Sequence, residues 1–284
     1  MKGFITRKIA LVVTLATVSL GLSANKISAD VGITKLGDIL QINVTGKSSS
    51  LRFIGLTSNN TLVNIDPSGF AKAIQVKGID GNLQGIDFRP ANGLLYGVTD
   101  TDNIYTINFI TGRATFVSKL SSSFNGGFQS GFDFNPVPDR LRIVGSNDQN
   151  FRTNVDTGAV TVDTPLAYAT DDVNAKVDPN VTAVAYINSV AGATSTQLYG
   201  IDYDLDVLVL QNPPNDGTLR TIGNLGVNFA PISGFDIFTN RQGTNTGYAL
   251  SGSVLYTINL STGIATKIAD VPTGNFIGLA VTSK

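Results

Sequence analysis

The chain of 284 residues contains no cysteine and no histidine. Without cysteine there is no disulfide scaffold, no thiol nucleophile and no site for lipid attachment through sulfur. Without histidine there is no Ser-His-Asp triad, no imidazole base and no histidine-ligated zinc or copper. The two absences exclude most hydrolase and redox mechanisms. Carboxylates, Arg, Lys, Tyr, hydroxyls and backbone groups are left for any chemistry.

The N-terminus has the pattern of a secretory signal peptide. Residues 1–8 carry three basic side chains and no acid, residues 9–24 are almost wholly apolar, and small residues precede Asp30. This apolar run of 16 residues is shorter than the roughly 20 that a membrane-spanning helix needs. The sequence therefore predicts a signal peptide over residues 1–29, export to the periplasm or outside the cell, and no membrane anchor. Cleavage after Ala24 is the alternative.

Removal of residues 1–29 takes away four positive charges and no negative ones, so the formal net charge moves from −1 to −5. A mildly acidic surface argues against nucleic acid, because binding it needs clustered Lys and Arg. It argues equally against an anionic membrane face. The remaining length suits a single barrel or propeller, and we expect a monomer.

The rest of the chain repeats one unit five times. Each copy opens with a short strand that begins at a small residue, and the first residues of the copies are 46, 52, 51 and 44 positions apart. That spacing suits four strands per repeat. The opening strands are Gly85–Phe88, Gly131–Phe134, Ala183–Tyr186, Gly234–Ile237 and Gly278–Val281. Turns of the form Asn/Asp-x-x-Thr/Ser-Gly follow the third strand, as at Asn108–Gly112, and predict hairpins.

The order of strands at the two ends predicts a closed ring. The first repeat begins at Ile54–Thr57, which matches the second strand of the unit, whereas Phe276–Val281 at the end of the chain matches the first strand. The ring closes if this last strand completes the first repeat. We therefore predict an all-β fold, a five-bladed β-propeller over residues 51–284 with closure by the C-terminal strand, after a lead-in segment over residues 30–50. A β-solenoid is the alternative.

The opening strands carry Asp87, Asp133 and Asp236 at one equivalent position, where the other two copies have alanine. The innermost strands of a propeller line its central channel, so three carboxylates can converge there and hold a cation such as Ca²⁺. The alternative is architectural, with each Asp capping a loop or pairing with an Arg between blades. Repetition of the motif favours the architectural interpretation.

The third repeat concentrates charged side chains. Arg140 and Arg142 lie on one face of a predicted strand, and Arg152 and Asn154 lie on its predicted hairpin partner. Such a cluster can bind a carboxylate, sulfate or phosphate group through forked hydrogen bonds. The favoured alternative is internal ion pairing, because adjacent guanidinium groups repel one another. The candidate acids for that pairing are Asp133, Asp139 and Asp156.

Several motifs resemble one bacterial family, the domain of unknown function 4394. The motifs that carry the resemblance are Gly85–Pro90, Gly131–Pro136, Asp139–Arg142 and Ala191–Asp202. The resemblance covers about residues 53–282, nearly all of the chain after the predicted signal peptide. It implies a secreted or surface-associated bacterial protein, and it supplies no activity and no catalytic residues.

Together these features favour an exported, non-catalytic binding or scaffold module. Its unknown ligand, a carbohydrate or a protein, would meet loops at one end of the propeller. A carboxylate-dependent, glycosidase-like enzyme and a structural component of an extracellular matrix stay open as alternatives. The absence of His and Cys and the shortage of long loops favour binding, since only the stretches 120–130 and 167–181 are long enough to shape a cleft.

Overall fold

Alternating apolar residues and frequent turn residues divide the chain into short antiparallel strands arranged around one axis. The computed structural model describes residues 40–42, 48–67, 69–271 and 274–283. Within these residues, β1 (Leu40–Ile42) and β2 (Ser48–Ser50) form a two-stranded sheet, and the other strands form five sheets in a ring. The predicted all-β, five-bladed propeller is therefore confirmed. The predicted signal peptide lies outside the described residues.

The first three blades each have four strands, named here from the axis outward. Blade 1 comprises β23 (Phe276–Thr282), β3 (Arg52–Thr57), β4 (Thr61–Ile65) and β5 (Ala71–Gln75). Blade 2 comprises β6 (Leu83–Phe88), β7 (Leu95–Thr99), β8 (Asn103–Ile107) and β9 (Ala114–Lys119). Blade 3 comprises β10 (Ser130–Asn135), β11 (Arg140–Gly145), β12 (Asn150–Thr153) and β13 (Val160–Val162).

Blade 4 has a fifth strand at its outer edge. It comprises β15 (Val181–Tyr186), β16 (Leu198–Asp202), β17 (Val207–Gln211), β18 (Thr218–Asn224) and the short β14 (Ala167–Tyr168), which runs parallel to β18. A 3₁₀ turn at Pro214–Asp216 precedes β18. Blade 5 comprises β19 (Ser233–Thr239), β20 (Asn245–Ser251), β21 (Val254–Ile258) and β22 (Ala265–Asp270).

The C-terminal strand closes the ring, as predicted. β23 pairs antiparallel with β3 from Phe276↔Thr57 to Thr282↔Arg52 and so supplies the innermost strand of blade 1. It also packs beside the innermost strands β19 and β6 of the two neighbouring blades. The inner edge of β3 is thereby paired.

The small residues that open the innermost strands allow neighbouring blades to approach closely. A Cβ atom at Gly131 would lie 2.7 Å from the backbone nitrogen of Val184 in blade 4. A Cβ atom at Gly234 would overlap the backbone of Gly278 and Leu279 in blade 1. Glycine is therefore required at these positions by the backbone of the next blade.

Apolar side chains fill the spaces between adjacent blades, and aromatic pairs bridge several of these interfaces. Phe53 of blade 1 packs edge-on against Tyr248 of blade 5, and Tyr96 of blade 2 packs edge-on against Phe134 of blade 3. No helix among the described residues is long and apolar enough to span a membrane. The interfaces between blades hold the innermost strands, and so the channel, in place.

Candidate functional site

Three aspartates meet at the centre of the ring. Asp87 on β6, Asp133 on β10 and Asp236 on β19 are almost completely buried, and each places a carboxylate oxygen within 4.8 Å of the others. The structure thus brings together the three residues that the sequence grouped. Whether they hold a cation stays a prediction.

Each of these carboxylates also accepts a hydrogen bond from the next blade. Asp87 accepts from the Phe134 N–H at 2.8 Å, and Asp133 accepts from the Tyr186 N–H at 3.1 Å. Asp236 accepts from the Val281 N–H at 2.5 Å. The pattern is the same each time: the donor follows the equivalent position in the neighbouring blade. The aspartates therefore connect blade 2 to blade 3, blade 3 to blade 4, and blade 5 to blade 1.

Burial makes the three carboxylates hard to ionise together. Burial raises the pKa of Asp236 to about 7, and it raises the pKa of Asp87 and of Asp133 well above the ordinary value, with repulsion between the carboxylates adding to both. Among the described residues, no Lys or Arg forms an ion pair with any of them. Protons or a bound cation must therefore supply the compensating charge.

The channel is closed at the end away from the aspartates. The side-chain amide of Gln129 lies on the axis and donates to the carbonyl oxygens of Ile277 at 2.8 Å and Ser233 at 3.1 Å. Longer contacts of 3.3 and 3.4 Å reach the carbonyls of Ser130 and Thr182. Gln129 thus joins blades 3, 4, 5 and 1, and the space beyond it along the inner strands is only about 10 Å³.

The opposite end of the channel opens into a cavity of about 340 Å³. Asp87 and Asp236 lie in its wall, together with the loop 89–93, the residues Ser189 and Val190, and the chain end at 281–283. The aspartates are therefore reached from this mouth. Of the three aspartates, Asp87 and Asp236 are the ones nearest to a ligand or hydrated ion in the mouth.

Arg142, from the predicted anion-binding cluster, is fully buried between blades 3 and 4. Its guanidinium donates to Asp163 at 2.6 Å, to Asn150 at 2.7 Å and to Asn215 at 2.7 Å. A longer bond of 3.3 Å reaches the Tyr186 hydroxyl. All three nitrogens of this guanidinium are thus occupied by protein groups.

The structure separates the other members of that cluster. Arg152 binds Asp163 through two hydrogen bonds of 2.7 and 2.9 Å, and this pairing raises the pKa of the guanidinium. Arg140 donates only to the nearby carbonyls of Pro138 and Asp139. Asn154 lies after β12, not within it, and its side-chain oxygen accepts the Asp156 N–H in the turn. Anion binding by these residues stays a prediction.

The prediction of which acids pair with Arg142 and Arg152 was wrong. Asp163 pairs with both arginines, while Asp139 and Asp156 pair with Arg89 in the neighbouring blade at 2.6 and 2.7 Å. Sequence reasoning missed Arg89, Asp163 and Gln129. Arg89 carried a signal, because it directly follows the opening strand of blade 2. Nothing local in the sequence distinguishes Asp163 from the other acids near the arginines, and the partners of Gln129 in blades 4, 5 and 1 are distant along the chain.

The fold and its centre define a class: a five-bladed propeller with three buried carboxylates at one end of a plugged channel. The family model "Domain of unknown function (DUF4394)" matches residues 60–280, and the chain belongs to this family. No curated protein sequence matches the chain.

Three solved structures resemble the chain at low identity. A protein of unknown function from Bacteroides thetaiotaomicron is 17% identical with a TM-score of 0.48, and the match covers 78% of this chain and 57% of that one. A protein of unknown function from Bacteroides caccae is 11% identical with a TM-score of 0.47, over 81% and 86%. An auxiliary nutrient binding protein from Bacteroides ovatus is 15% identical with a TM-score of 0.42, over 69% and 55%. The chain thus spans little more than half of the first and third proteins.

Proposed function

We propose that this protein is an exported, non-catalytic binding module whose site is the mouth of the channel, with a Ca²⁺ ion held by Asp87, Asp133 and Asp236. The observation that carries the proposal is a group of three buried carboxylates without a positively charged partner, two of which, Asp87 and Asp236, lie in the wall of an open cavity. A cation supplies the missing charge, and the cavity supplies access for a ligand.

The spacing of the oxygens suits calcium. Ca²⁺ binds oxygen at about 2.3–2.6 Å, so two oxygens on one ion lie at most about 5.2 Å apart. For Mg²⁺, at about 2.1 Å, the corresponding limit is about 4.2 Å. Each pair among the three oxygens, which lie within 4.8 Å of one another, meets the calcium limit. The hydrogen bonds from neighbouring blades use one lone pair of an oxygen and leave another for the ion.

Three carboxylates leave several of the six to eight ligand positions of Ca²⁺ open. Water or ligand oxygens in the cavity would fill those positions. Hydroxyl groups of a carbohydrate or a carboxylate of a protein have the oxygen chemistry that Ca²⁺ accepts. We therefore propose a carbohydrate or a protein carboxylate as the ligand that completes the coordination of the ion.

Calorimetric titration of Ca²⁺ into protein freed of metal tests the site. We expect about one ion per chain at pH 8 and a higher melting temperature with millimolar Ca²⁺ than after chelation. Asp133→Asn removes one ligand and should abolish the heat of binding. Asp270→Asn is the matched control, because Asp270 is an exposed carboxylate that pairs only with Lys267. Absence of binding in the wild-type protein would leave the aspartates as connections between blades.

One observation favours an enzyme as the alternative. A carboxyl group whose pKa is about 7, such as Asp236 beside an open cavity, can donate a proton near neutral pH. A carboxylate-dependent hydrolase would lose activity in Asp236→Asn and would not need Ca²⁺. Hydrolysis of nitrophenyl glycosides by the wild-type protein and not by this variant would support the enzyme and contradict the binding module.

Export rests on the predicted signal peptide and is tested separately. Fusion of residues 1–29 to a reporter that is active only outside the cytoplasm should give signal. Replacement of the basic residues 2, 7 and 8 by acids should reduce it. A reporter that stays inactive would contradict export.

A further inference from the structure

An exposed apolar groove follows the outer junction of blades 1 and 2. Two adjoining cavities of about 420 and 440 Å³ share Ile110 in their walls. Ile110, Phe70 and Leu94 line them and are 56%, 69% and 50% exposed. Large apolar side chains scattered singly are ordinary on a protein surface, but three in the walls of two adjoining cavities suit an interaction site.

Positive charge surrounds this groove. Arg52 and Lys72 line one cavity and Arg113 lines the other. In the part of the chain that the structure describes, none of these three cations belongs to an ion pair within 4 Å. Asp66 is the acid in the lining, so the local balance is basic on a chain whose net charge is negative. The groove therefore suits an apolar segment that carries acids.

The chain itself contains such a segment, between β14 and β15 of blade 4. Val173 in this segment is 85% exposed, the largest exposure of any large apolar side chain described. Asp171 and Asp178 are exposed beside it, against one basic residue, Lys176. Asp171 also contacts Arg220 at 3.1 Å, with both side chains about half exposed or more. The segment is thus apolar at its tip and acidic around it.

Hydrogen bonds hold this segment in a fixed shape. Both carboxylate oxygens of Asp172 bind Thr221 on β18, at 2.7 Å from its N–H and 2.8 Å from its hydroxyl. Asn174 donates to the same hydroxyl at 2.9 Å. A segment already ordered before binding loses little conformational entropy when it docks.

We propose that the groove between blades 1 and 2 binds the 170–178 segment of a second copy of this chain. Val173 would enter the apolar groove beside Ile110, while Asp171 and Asp178 would face Arg52, Lys72 and Arg113. The contact goes beyond the calcium site of the proposed function and involves a different surface. It also replaces the expectation of a monomer.

The positions of the groove and the segment on the ring determine which kind of assembly the contact forms. In a ring of five blades, blade 4 lies across the axis from the junction of blades 1 and 2. The contact joins two different surfaces, so each bound copy leaves one surface of each kind free. Because the two surfaces point in opposite directions, copies add head to tail into open chains. A single loop in a groove is a small interface, so the association is weak and needs high protein concentration.

Sedimentation equilibrium from micromolar to millimolar protein tests the association. The average mass of the wild-type protein should rise above one chain with concentration and fall again at high salt. Ile110→Glu blocks the groove and Val173→Glu blocks the segment, and both change exposed side chains that the fold does not need. Each variant alone should remain one chain in mass.

A mixture of the two variants gives the sharpest result. Val173→Glu keeps an intact groove and Ile110→Glu keeps an intact segment, so the mixture should form pairs of exactly two chains and nothing larger. Val162→Glu, at an exposed valine on β13 outside both surfaces, should associate like the wild type. A monomeric wild type, or association that either variant leaves unchanged, overturns the proposal. A monomer that instead binds anionic lipid vesicles through Ile110 would also overturn it and assign the groove to a membrane.

Discussion

At the scale of single residues, each of the three aspartates faces a large side chain on the neighbouring strand of its own blade. Asp87, Asp133 and Asp236 face Tyr96, Arg142 and Tyr248, respectively, on the next strand outward. Arg142 therefore stands where three other blades have tyrosine, since blade 4 has Tyr199 at the same position. A tyrosine fills the space between blades with a ring, whereas an arginine there must bring hydrogen-bond acceptors with it. Asp163, Asn150 and Asn215 are those acceptors.

Replacement of Arg142 tests whether this network is structural. Arg142→Ala removes a charge-assisted hydrogen bond to Asp163, which keeps its ion pair with Arg152, and the loss of such a bond costs about 1.5–3 kcal/mol. We expect a loss of that size in the free energy of unfolding measured with urea. Arg140→Ala is the control, because Arg140 is partly exposed and donates hydrogen bonds to adjacent carbonyls, and should change stability by no more than about 0.5 kcal/mol. An unchanged stability in Arg142→Ala together with lost binding of an anion such as sulfate would show that the cluster serves a ligand.

Gln129 offers a second test at this scale. In Gln129→Glu a carboxylate replaces the amide donor and faces carbonyl oxygens from four blades. We expect a lower melting temperature at pH 8 and partial recovery at pH 4, because the protonated carboxyl can again donate one hydrogen bond. Gln242→Glu, an exposed position, is the control and should change little. A difference in melting temperature between Gln129→Glu and Gln242→Glu that is the same at pH 4 and pH 8 would contradict the assigned hydrogen bonds.

At the residue scale, the sequence predicted the site residues that recur at one position of the repeat. Asp87, Asp133 and Asp236 were grouped correctly because they recur at one position of the repeat, and the ring brings equivalent positions together. The pairing of Arg142 was predicted wrongly because Asp163 directly follows β13, the outermost strand of the blade, and Asn215 lies in blade 4. Proximity along the chain does not measure distance across an interface between blades.

At the scale of elements, the innermost strands do two tasks at once. They supply one strand of a blade, and their glycines and aspartates contact the next blade. The closing strand β23 is the least replaceable of them, because it comes from the opposite end of the chain from its partner β3. The repeat predicted this exchange from the order of strands alone. It did not predict β14, because two residues that pair parallel to β18 have no periodic pattern.

Removal of β23 tests the closure. A chain ending at residue 275 loses the partner of β3 and the inner contacts of β19 and β6, which exposes strand edges. We expect this variant to aggregate or to lack a cooperative thermal transition, as seen by gel filtration and circular dichroism. A chain that lacks only residues 283 and 284 is the control and should elute and melt like the wild type. A monomeric, cooperatively folded truncated protein would contradict ring closure.

At the scale of the whole molecule, the ring concentrates negative charge at its axis and depends on what compensates it. Without a cation, the folded protein binds protons at the three aspartates more tightly than the unfolded chain does. The free energy of unfolding of the metal-free protein should then decrease as the pH rises from about 4, near the ordinary pKa of 3.8, to the folded pKa of Asp236 at about 7. A bound cation supplies the compensating charge in place of the protons, so the carboxyl groups can stay ionised.

The pH dependence of calcium stabilisation tests this exchange of protons for a cation. Ca²⁺ binds ionised carboxylates, so its binding must displace the protons that burial favours. We expect millimolar Ca²⁺ to raise the melting temperature of metal-free protein clearly at pH 8 and very little at pH 5. Asp236→Asn should lose most of the rise at pH 8 and flatten the pH profile of the metal-free protein, whereas Asp270→Asn should keep both. Calcium binding competes with protons between pH 5 and pH 8 only at carboxyl groups whose pKa is raised into this range. A rise in melting temperature of equal size at pH 5 and pH 8 would therefore place the calcium at some other group.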